Sequence, residues 1–173
     1  MGDIVLYLGG AKSGKTRAAL AAAEAFGPPR YYLATAEALD SEMALRIRAH
    51  QAERGPDWRT AEEPLDPAGA VSSLPPEGPV LLDCLTLWLS NLMGRREDLS
   101  AADWIIEVDK LIGAARGRKG PTIIVSNEVG GGLVPMEPLS RLFRDLSGLA
   151  HQRIASVAKE AYLVVAGLPM RLK

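Results

Sequence analysis

Hydrophobic residues in this chain of 173 residues form short continuous runs that alternate with stretches of helical spacing. The runs lie at residues 4–8, 30–35, 80–83, 122–126 and 162–165. Continuous apolar runs of this length are typical of strands buried on both faces of a parallel sheet. We therefore predict a strand at each run, with a shorter extended piece at 58–60 and an edge strand at 170–172.

The stretches between the runs predict helices at 17–26, 66–74, 85–92, 101–116 and 138–159. One more helix begins near Asp40 or Ser41, and its residues Met43, Ile47 and His50 share one face because of their spacing. Strands that alternate with helices indicate an α/β fold, in which helices cover both faces of a mainly parallel sheet. The length suits a single domain over residues 1–173.

The first apolar run leads directly into a loop of the pattern G-x-x-x-x-G-K-[ST], which consists of Gly9, Gly10, Ala11, Lys12, Ser13, Gly14, Lys15 and Thr16. With a strand before it and a helix after it, such a loop surrounds the phosphates of a nucleotide with backbone N–H groups. Lys15 would reach the outer phosphates, and the Thr16 hydroxyl would bind the accompanying Mg²⁺. The loop predicts a P-loop NTPase-like (RecA-like) nucleotide-binding domain, and its backbone contacts do not distinguish ATP from GTP.

Three further residues are the main candidates for chemistry, and two arginines are weaker ones. Asp83 ends an apolar run at the sheet edge where ligands of α/β proteins bind, and it is either a Mg²⁺ ligand or the N-cap of the next helix. His50 is either a nucleophile toward phosphorus or a structural histidine on an apolar helical face. Glu128 could orient or deprotonate a substrate hydroxyl, or be a solvated loop carboxylate. Arg141 and Arg144 are weaker candidates for phosphate contact, since their spacing equally suits an exposed helix.

Composition narrows the classes of function. The formal net charge of -1 provides no basic footprint for nucleic acid or a membrane surface, so small anionic substrates fit better. Cys84 is the single cysteine, which excludes an internal disulfide and predicts a reducing, cytoplasmic setting. No apolar run reaches the ~18 residues that a membrane span needs.

Several segments combine into a more specific pattern. They are the glycine-rich loop, Tyr-Leu-Ala-Thr-Ala at 32–36, the helix that carries His50, Trp-Arg-Thr-Ala-Glu at 58–62, Leu-Leu-Asp-Cys-Leu-Thr at 81–86 and Ser-Asn-Glu-Val-Gly at 126–130. In these segments the chain resembles the bifunctional adenosylcobinamide kinase / adenosylcobinamide-phosphate guanylyltransferase family over nearly its whole length.

This resemblance implies two reactions of cobalamin (vitamin B12) biosynthesis. Adenosylcobinamide is phosphorylated by ATP or GTP to adenosylcobinamide phosphate. GMP is then transferred from GTP through a GMP-histidine intermediate, which gives adenosylcobinamide-GDP and pyrophosphate. The intermediate falls on His50, because Ala49 stands where close relatives often have a second histidine.

The resemblance also implies a homotrimer whose nucleotide sites lie near the subunit boundaries. Beside the loop, it implies nucleotide contacts at Ala34, Thr35, Ala36, Gln51, Ala52, Glu53, Arg54, Glu62 and Asp83. Asp83 replaces a glutamate that some relatives have, and its shorter side chain could still hold magnesium while altering a contact with ribose or base.

Two alternatives use the same loop differently. A monofunctional P-loop small-molecule kinase would leave His50 as a structural residue. A recombinase-like motor driven by ATP would bind macromolecules through a basic stripe or an aromatic stacking loop, and neither is evident in the sequence.

Overall fold

The structure, a computed structural model, describes residues 1–37, 55–96 and 100–173. The predicted helix that carries His50 lies outside these ranges. The described elements are β1 (Ile4–Gly9), α1 (Lys15–Glu24), β2 (Arg30–Ala34), β3 (Trp58–Glu62), α2 (Pro67–Ser73), β4 (Val80–Asp83), α3 (Leu85–Arg95), α4 (Ala101–Gly117), β5 (Thr122–Asn127), α5 (Pro138–Val157), β6 (Glu160–Val165) and β7 (Leu168–Arg171).

The strands form one seven-stranded sheet in the order β3-β2-β4-β5-β1-β6-β7. The pairings from β3 to β6 are parallel, and only β7 runs antiparallel to its neighbour β6. The predicted α/β class is therefore confirmed, and β7 is the edge strand expected near the end of the chain. Because the strands are parallel, the carboxyl ends of β1, β2, β4 and β5 meet at one edge of the sheet.

Successive residues of each strand pack on opposite faces of the sheet, as the pleat requires. On one face, Tyr32 and Leu81 pack against Ala19 and Ala23 of α1. The other face is covered by α2, α3, α4 and α5, through buried residues that include Val71, Leu89, Val108 and Ile154. Helices therefore cover both faces, as predicted, and α1 lies directly behind the glycine-rich loop.

The last long helix is shorter than the sequence pattern suggested. It ends at Val157 rather than at residue 159, and β6 begins at Glu160. The Lys159 N–H donates to the Ile4 carbonyl over 2.8 Å, so this residue already belongs to the pairing of β6 with β1. None of the described helices is long and apolar enough to cross a membrane.

Candidate nucleotide-binding site

The glycine-rich loop connects β1 to α1, and its two outer glycines are required by its geometry. A Cβ atom on Gly9 would lie 2.5 Å from Ser13 Oγ and 2.6 Å from the Val164 carbonyl oxygen. Gly14 has a φ of 90°, in the left-handed region that glycine adopts without a steric penalty. The loop therefore curls tightly between strand and helix, and it brings the N-terminus of α1 to the sheet edge.

Lys15 is buried against this loop, where its Nζ donates to the Gly10 carbonyl over 3.1 Å. Burial lowers the pKa of the Lys15 ammonium, and the nearby Cys84 and Asp83 act in the opposite direction. A cation held over the loop is the group expected to meet phosphate oxygens there.

The end of β4 places a carboxylate beside the first turn of α1. The Thr16 hydroxyl donates to Asp83 Oδ2 over 3.2 Å, and the Tyr32 hydroxyl donates to the same oxygen over 2.7 Å. The proximity of Thr16 to Asp83 is what the sequence predicted. Tyr32 was not predicted, because a tyrosine within an apolar strand gives no sign of which neighbour its hydroxyl reaches.

The alternative in which Asp83 caps the following helix is wrong. The N-cap residue of α3 is Cys84, not Asp83. Asp83 instead directs its carboxylate toward Thr16 and Tyr32.

The donor set suits magnesium. Mg²⁺ prefers oxygen ligands, and at nucleotide sites it takes one or two from the protein while substrate phosphates and water supply the rest. The Thr16 hydroxyl and the Asp83 carboxylate are two such oxygens at the loop. Across residues 1–37, 55–96 and 100–173, no group of three or more His, Cys, Asp or Glu side chains is arranged to hold a metal ion on its own.

Other predicted contact residues gather at the same edge. Ala34 lies opposite Asp83 on one side and opposite Glu62 on the other. Thr35 is fully buried, and its hydroxyl donates to the Cys84 carbonyl over 2.8 Å while accepting the Cys84 N–H over 2.9 Å. Thr35 therefore ties the end of β2 to the end of β4, and Glu62 is exposed at the end of β3.

Ala36 follows in the next segment of the chain and is half-buried. The predicted residues His50, Gln51, Ala52, Glu53 and Arg54 lie outside the described residues.

Glu128 follows β5 and approaches the loop through its backbone. Its N–H donates to the Gly9 carbonyl over 3.0 Å. The carboxylate accepts the N–H groups of Gly130 and Gly131 over 2.7 and 3.1 Å, so it is directed toward its own loop.

The two candidate arginines of α5 contact nearby residues of the chain. Arg141 donates to the carbonyls of Pro135 and Met136. Arg144 lies 3.9 Å from Asp145. These contacts fit the alternative of an exposed helix, which the sequence had left open.

Comparisons with known proteins place the chain in a sequence family and agree with the fold. The family model described as cobinamide kinase / cobinamide phosphate guanyltransferase matches residues 5–172. The bifunctional adenosylcobalamin biosynthesis protein CobP of Pseudomonas aeruginosa is 46% identical over 97% of this chain and 96% of its own length. The corresponding CobU protein of Salmonella typhimurium is 38% identical over 98% of this chain and 99% of its own.

Among solved structures, the crystal structure of the RadB recombinase covers 94% of this chain and 74% of its own, with a TM-score of 0.52. Its sequence identity is 15%, so this likeness concerns the fold alone.

Proposed function

The chain belongs to the cobinamide kinase / cobinamide phosphate guanyltransferase family, and from this premise we propose how its residues divide the two reactions. It is a bifunctional kinase and guanylyltransferase of cobalamin biosynthesis. Adenosylcobinamide receives a phosphate from a nucleoside triphosphate, and the product then receives GMP from GTP. The Thr16–Asp83 contact beside the glycine-rich loop is the single observation that supports the nucleotide site most directly.

In the kinase step, the loop from Gly9 to Thr16 binds the triphosphate through its backbone N–H groups, and Lys15 contacts the outer phosphates. Thr16 and Asp83 would hold Mg²⁺, which would supply positive charge to the phosphate oxygens. Glu128 orients the substrate hydroxyl or accepts its proton, a role supported by its place beside the loop. Both ATP and GTP fit a site that grips phosphates through the backbone.

In the guanylyltransferase step, His50 is the nucleophile. Its ring nitrogen attacks the α-phosphorus of GTP, the bond to the bridging oxygen breaks, and pyrophosphate leaves with the electron pair. A phosphate oxygen of adenosylcobinamide phosphate then displaces the imidazole to form the new P–O–P linkage. Support for His50 comes from the family assignment, with further nucleotide contacts proposed at Ala34, Thr35, Ala36, Glu62 and residues 51–54.

Labelling with GTP that carries radioactive phosphorus at the α position tests this step. We expect label on the protein that is lost in acid and retained in alkali, as a phosphoramidate behaves. The label disappears in His50→Ala and persists in His151→Asn, which changes the only other histidine of the sequence. Conversion of adenosylcobinamide to its phosphate continues in both variants.

The opposite result favours the alternative. If wild-type protein phosphorylates adenosylcobinamide yet carries no label during turnover with GTP, the protein is a monofunctional kinase and His50 is structural.

We also propose that residues 1–173 act as one nucleotide-binding domain in the cytoplasm, assembled as a homotrimer. The single sheet supports the first point, and the buried, unpaired Cys84 fits a reducing compartment. Five exposed apolar residues that lie close together in sequence, before and within α5, support assembly, since exposed apolar surface of this kind occurs at interaction sites. They are Leu133, Val134, Met136, Leu139 and Leu142.

Analytical ultracentrifugation tests the assembly. We expect a trimer mass for the wild type, dissociation in Leu139→Glu, and a trimer in Ile106→Glu. Leu139 and Ile106 are 56% and 52% exposed, so the control adds the same charge at an apolar position of similar exposure on α4. A monomer mass for the wild type at micromolar concentration would contradict the proposal.

A further inference from the structure

The turn between β6 and β7 contacts the glycine-rich loop directly. Val165 pairs with Leu168, so the connection consists of the two residues Ala166 and Gly167. Their φ angles are 52° and 80°, which is the left-handed pair of a tight two-residue hairpin. This turn extends from the sheet edge at which the loop lies.

One backbone hydrogen bond joins the turn to the loop. The Gly167 N–H donates to the Ser13 carbonyl over 2.8 Å. The approach is close, because a Cβ atom on Gly14 would lie 3.0 Å from the Gly167 Cα. Together, the turn and residues 12–17 line a cavity of about 480 Å³.

The orientation of the Ser13–Gly14 peptide follows from this bond. In a planar trans peptide, the C=O of one residue and the N–H of the next point in opposite directions. With the Ser13 carbonyl directed at the turn, the Gly14 N–H is directed away from it, across the loop. A second bond, from the Glu128 N–H to the Gly9 carbonyl, fixes the Gly9–Gly10 peptide at the other end of the loop in the same manner.

We propose that Gly167 is a positioning residue for nucleotide binding: its N–H holds the Ser13–Gly14 peptide so that the Gly14 N–H faces the bound phosphates. The proposal rests on the proposed function, because it takes the loop to be the phosphate site. A side chain at position 167 alters the turn, since β-branched residues do not adopt a φ near 80°. The Ser13 carbonyl then loses its partner and the peptide is free to rotate.

Gly27 provides a matched control. It has a φ of 73°, and a Cβ atom there meets nothing within 4 Å. It follows the far end of α1, on the order of 15 Å from the loop. Gly27→Val therefore imposes the same kind of backbone strain without touching the nucleotide site.

The experiment compares Gly167→Val with Gly27→Val by calorimetric titration with GTP and with inorganic tripolyphosphate. We expect Gly167→Val to weaken both ligands by about five- to tenfold, the loss of roughly one hydrogen bond. Gly27→Val lowers the melting temperature and keeps both affinities within about twofold of the wild type. Gly167→Ala, which imposes less strain, gives a smaller effect in the same direction and serves if the valine variant does not fold.

The outcomes distinguish a failure of the positioning role of Gly167 from a failure of the proposed function. Equal affinities in folded Gly167→Val and wild type overturn the positioning role. Weaker GTP binding with unchanged tripolyphosphate binding also overturns it, since the turn would then contact the nucleoside and not act through the phosphate-binding peptide. Absence of GTP and tripolyphosphate binding to the wild type contradicts the proposed function itself.

Discussion

The Tyr32 hydroxyl donates a hydrogen bond to Asp83 Oδ2 over 2.7 Å, and that oxygen also accepts the Thr16 hydroxyl. Tyr32 lies on β2 opposite Leu81, and Asp83 lies on β4 opposite Ala34, so their side chains are diagonal neighbours on one face of the sheet. The buried phenol therefore fixes the orientation of the carboxylate that we assign to Mg²⁺.

Replacing Tyr32 with phenylalanine removes this hydroxyl and keeps the packed ring. Groups that orient a metal ligand typically change metal affinity or activity by about 10–100-fold when they are lost. We expect Tyr32→Phe to raise the Mg²⁺ concentration for half-maximal kinase activity by about tenfold. Steady-state rates measured across a magnesium series give this value directly.

Tyr31→Phe is the control, because Tyr31 is the neighbouring residue on β2 and packs on the opposite face of the sheet. It should leave the magnesium dependence unchanged. An identical magnesium curve for Tyr32→Phe and wild type would show that the phenol does not orient the metal ligand.

Changing the Asp83 carboxylate itself is a stronger test of the proposed Mg²⁺ site. Asp83→Asn keeps the size of the side chain, retains one oxygen and removes the negative charge that strengthens Mg²⁺ binding. We expect a loss of at least about tenfold in magnesium-dependent turnover. The helix that follows should be unaffected, because Asp83 does not cap α3. Activity assays and thermal melts of the same sample separate the two effects, and unaltered turnover would exclude the metal role.

The parts of the site that could be predicted from the sequence are those whose structure follows from one short, continuous stretch of residues. The glycine-rich loop is recognisable from its own pattern, because Gly14 supplies the φ of 90° at which the loop turns into α1. The strand at 80–83 was predicted with its observed bounds, since a continuous apolar run closed by an aspartate is typical of a buried strand that ends at the sheet edge. The alternative for Asp83 as an N-cap was decided only by the observed helix start, for which Cys84 is the N-cap residue.

The parts that could not be predicted depend on which strands become neighbours. The Tyr32 hydroxyl reaches Asp83 because β2 and β4 are adjacent, although β3 lies between them in sequence. The contact between Gly167 and Ser13 likewise requires β6 to pair with β1. The dipeptide Ala166–Gly167 is also a weaker hairpin signal than Asn-Gly or Asp-Gly. Its role at the loop was not evident from the local pattern.

The free energy of unfolding should depend on pH through His151 on α5. This histidine is buried, and its Nε2 lies 2.7 Å from Ser126 Oγ. Burial lowers the pKa of His151 in the folded state, while Glu128 acts in the opposite direction. Below pH 6.5, the unfolded chain therefore binds more protons at this site than the folded chain does.

We expect the contribution of His151 to be complete above pH 6.5 and to be lost as the pH falls toward the lowered pKa. Urea unfolding between pH 7 and pH 5 should show the unfolding free energy decreasing by at most about 1.4 kcal/mol per pH unit because of this group. His151→Asn removes that component of the slope, and His50→Ala retains it. The same acid dependence in His151→Asn and wild type would contradict the assignment.

Arg118 provides a test of stability far from the loop. It is 4% exposed, and its guanidinium donates to the Val71 carbonyl over 3.2 Å and to the Gly78 carbonyl over 3.0 Å. The same group lies 6.0 Å from the centre of the Tyr31 ring. Arg118 therefore joins α2, the segment before β4 and β2 at the amino edge of the sheet.

We expect Arg118→Met to lower the unfolding free energy by about 2–4 kcal/mol, because it leaves buried carbonyl groups without a donor. Lys119→Met is the adjacent control. Lys119 is exposed and pairs with Glu77 at the surface over 3.1 Å, so its loss should cost less than about 1 kcal/mol. Chemical unfolding measures both values, and nucleotide affinity should stay unchanged because the amino edge lies opposite the glycine-rich loop. A loss below about 1 kcal/mol in Arg118→Met would show that water replaces the guanidinium at these carbonyls.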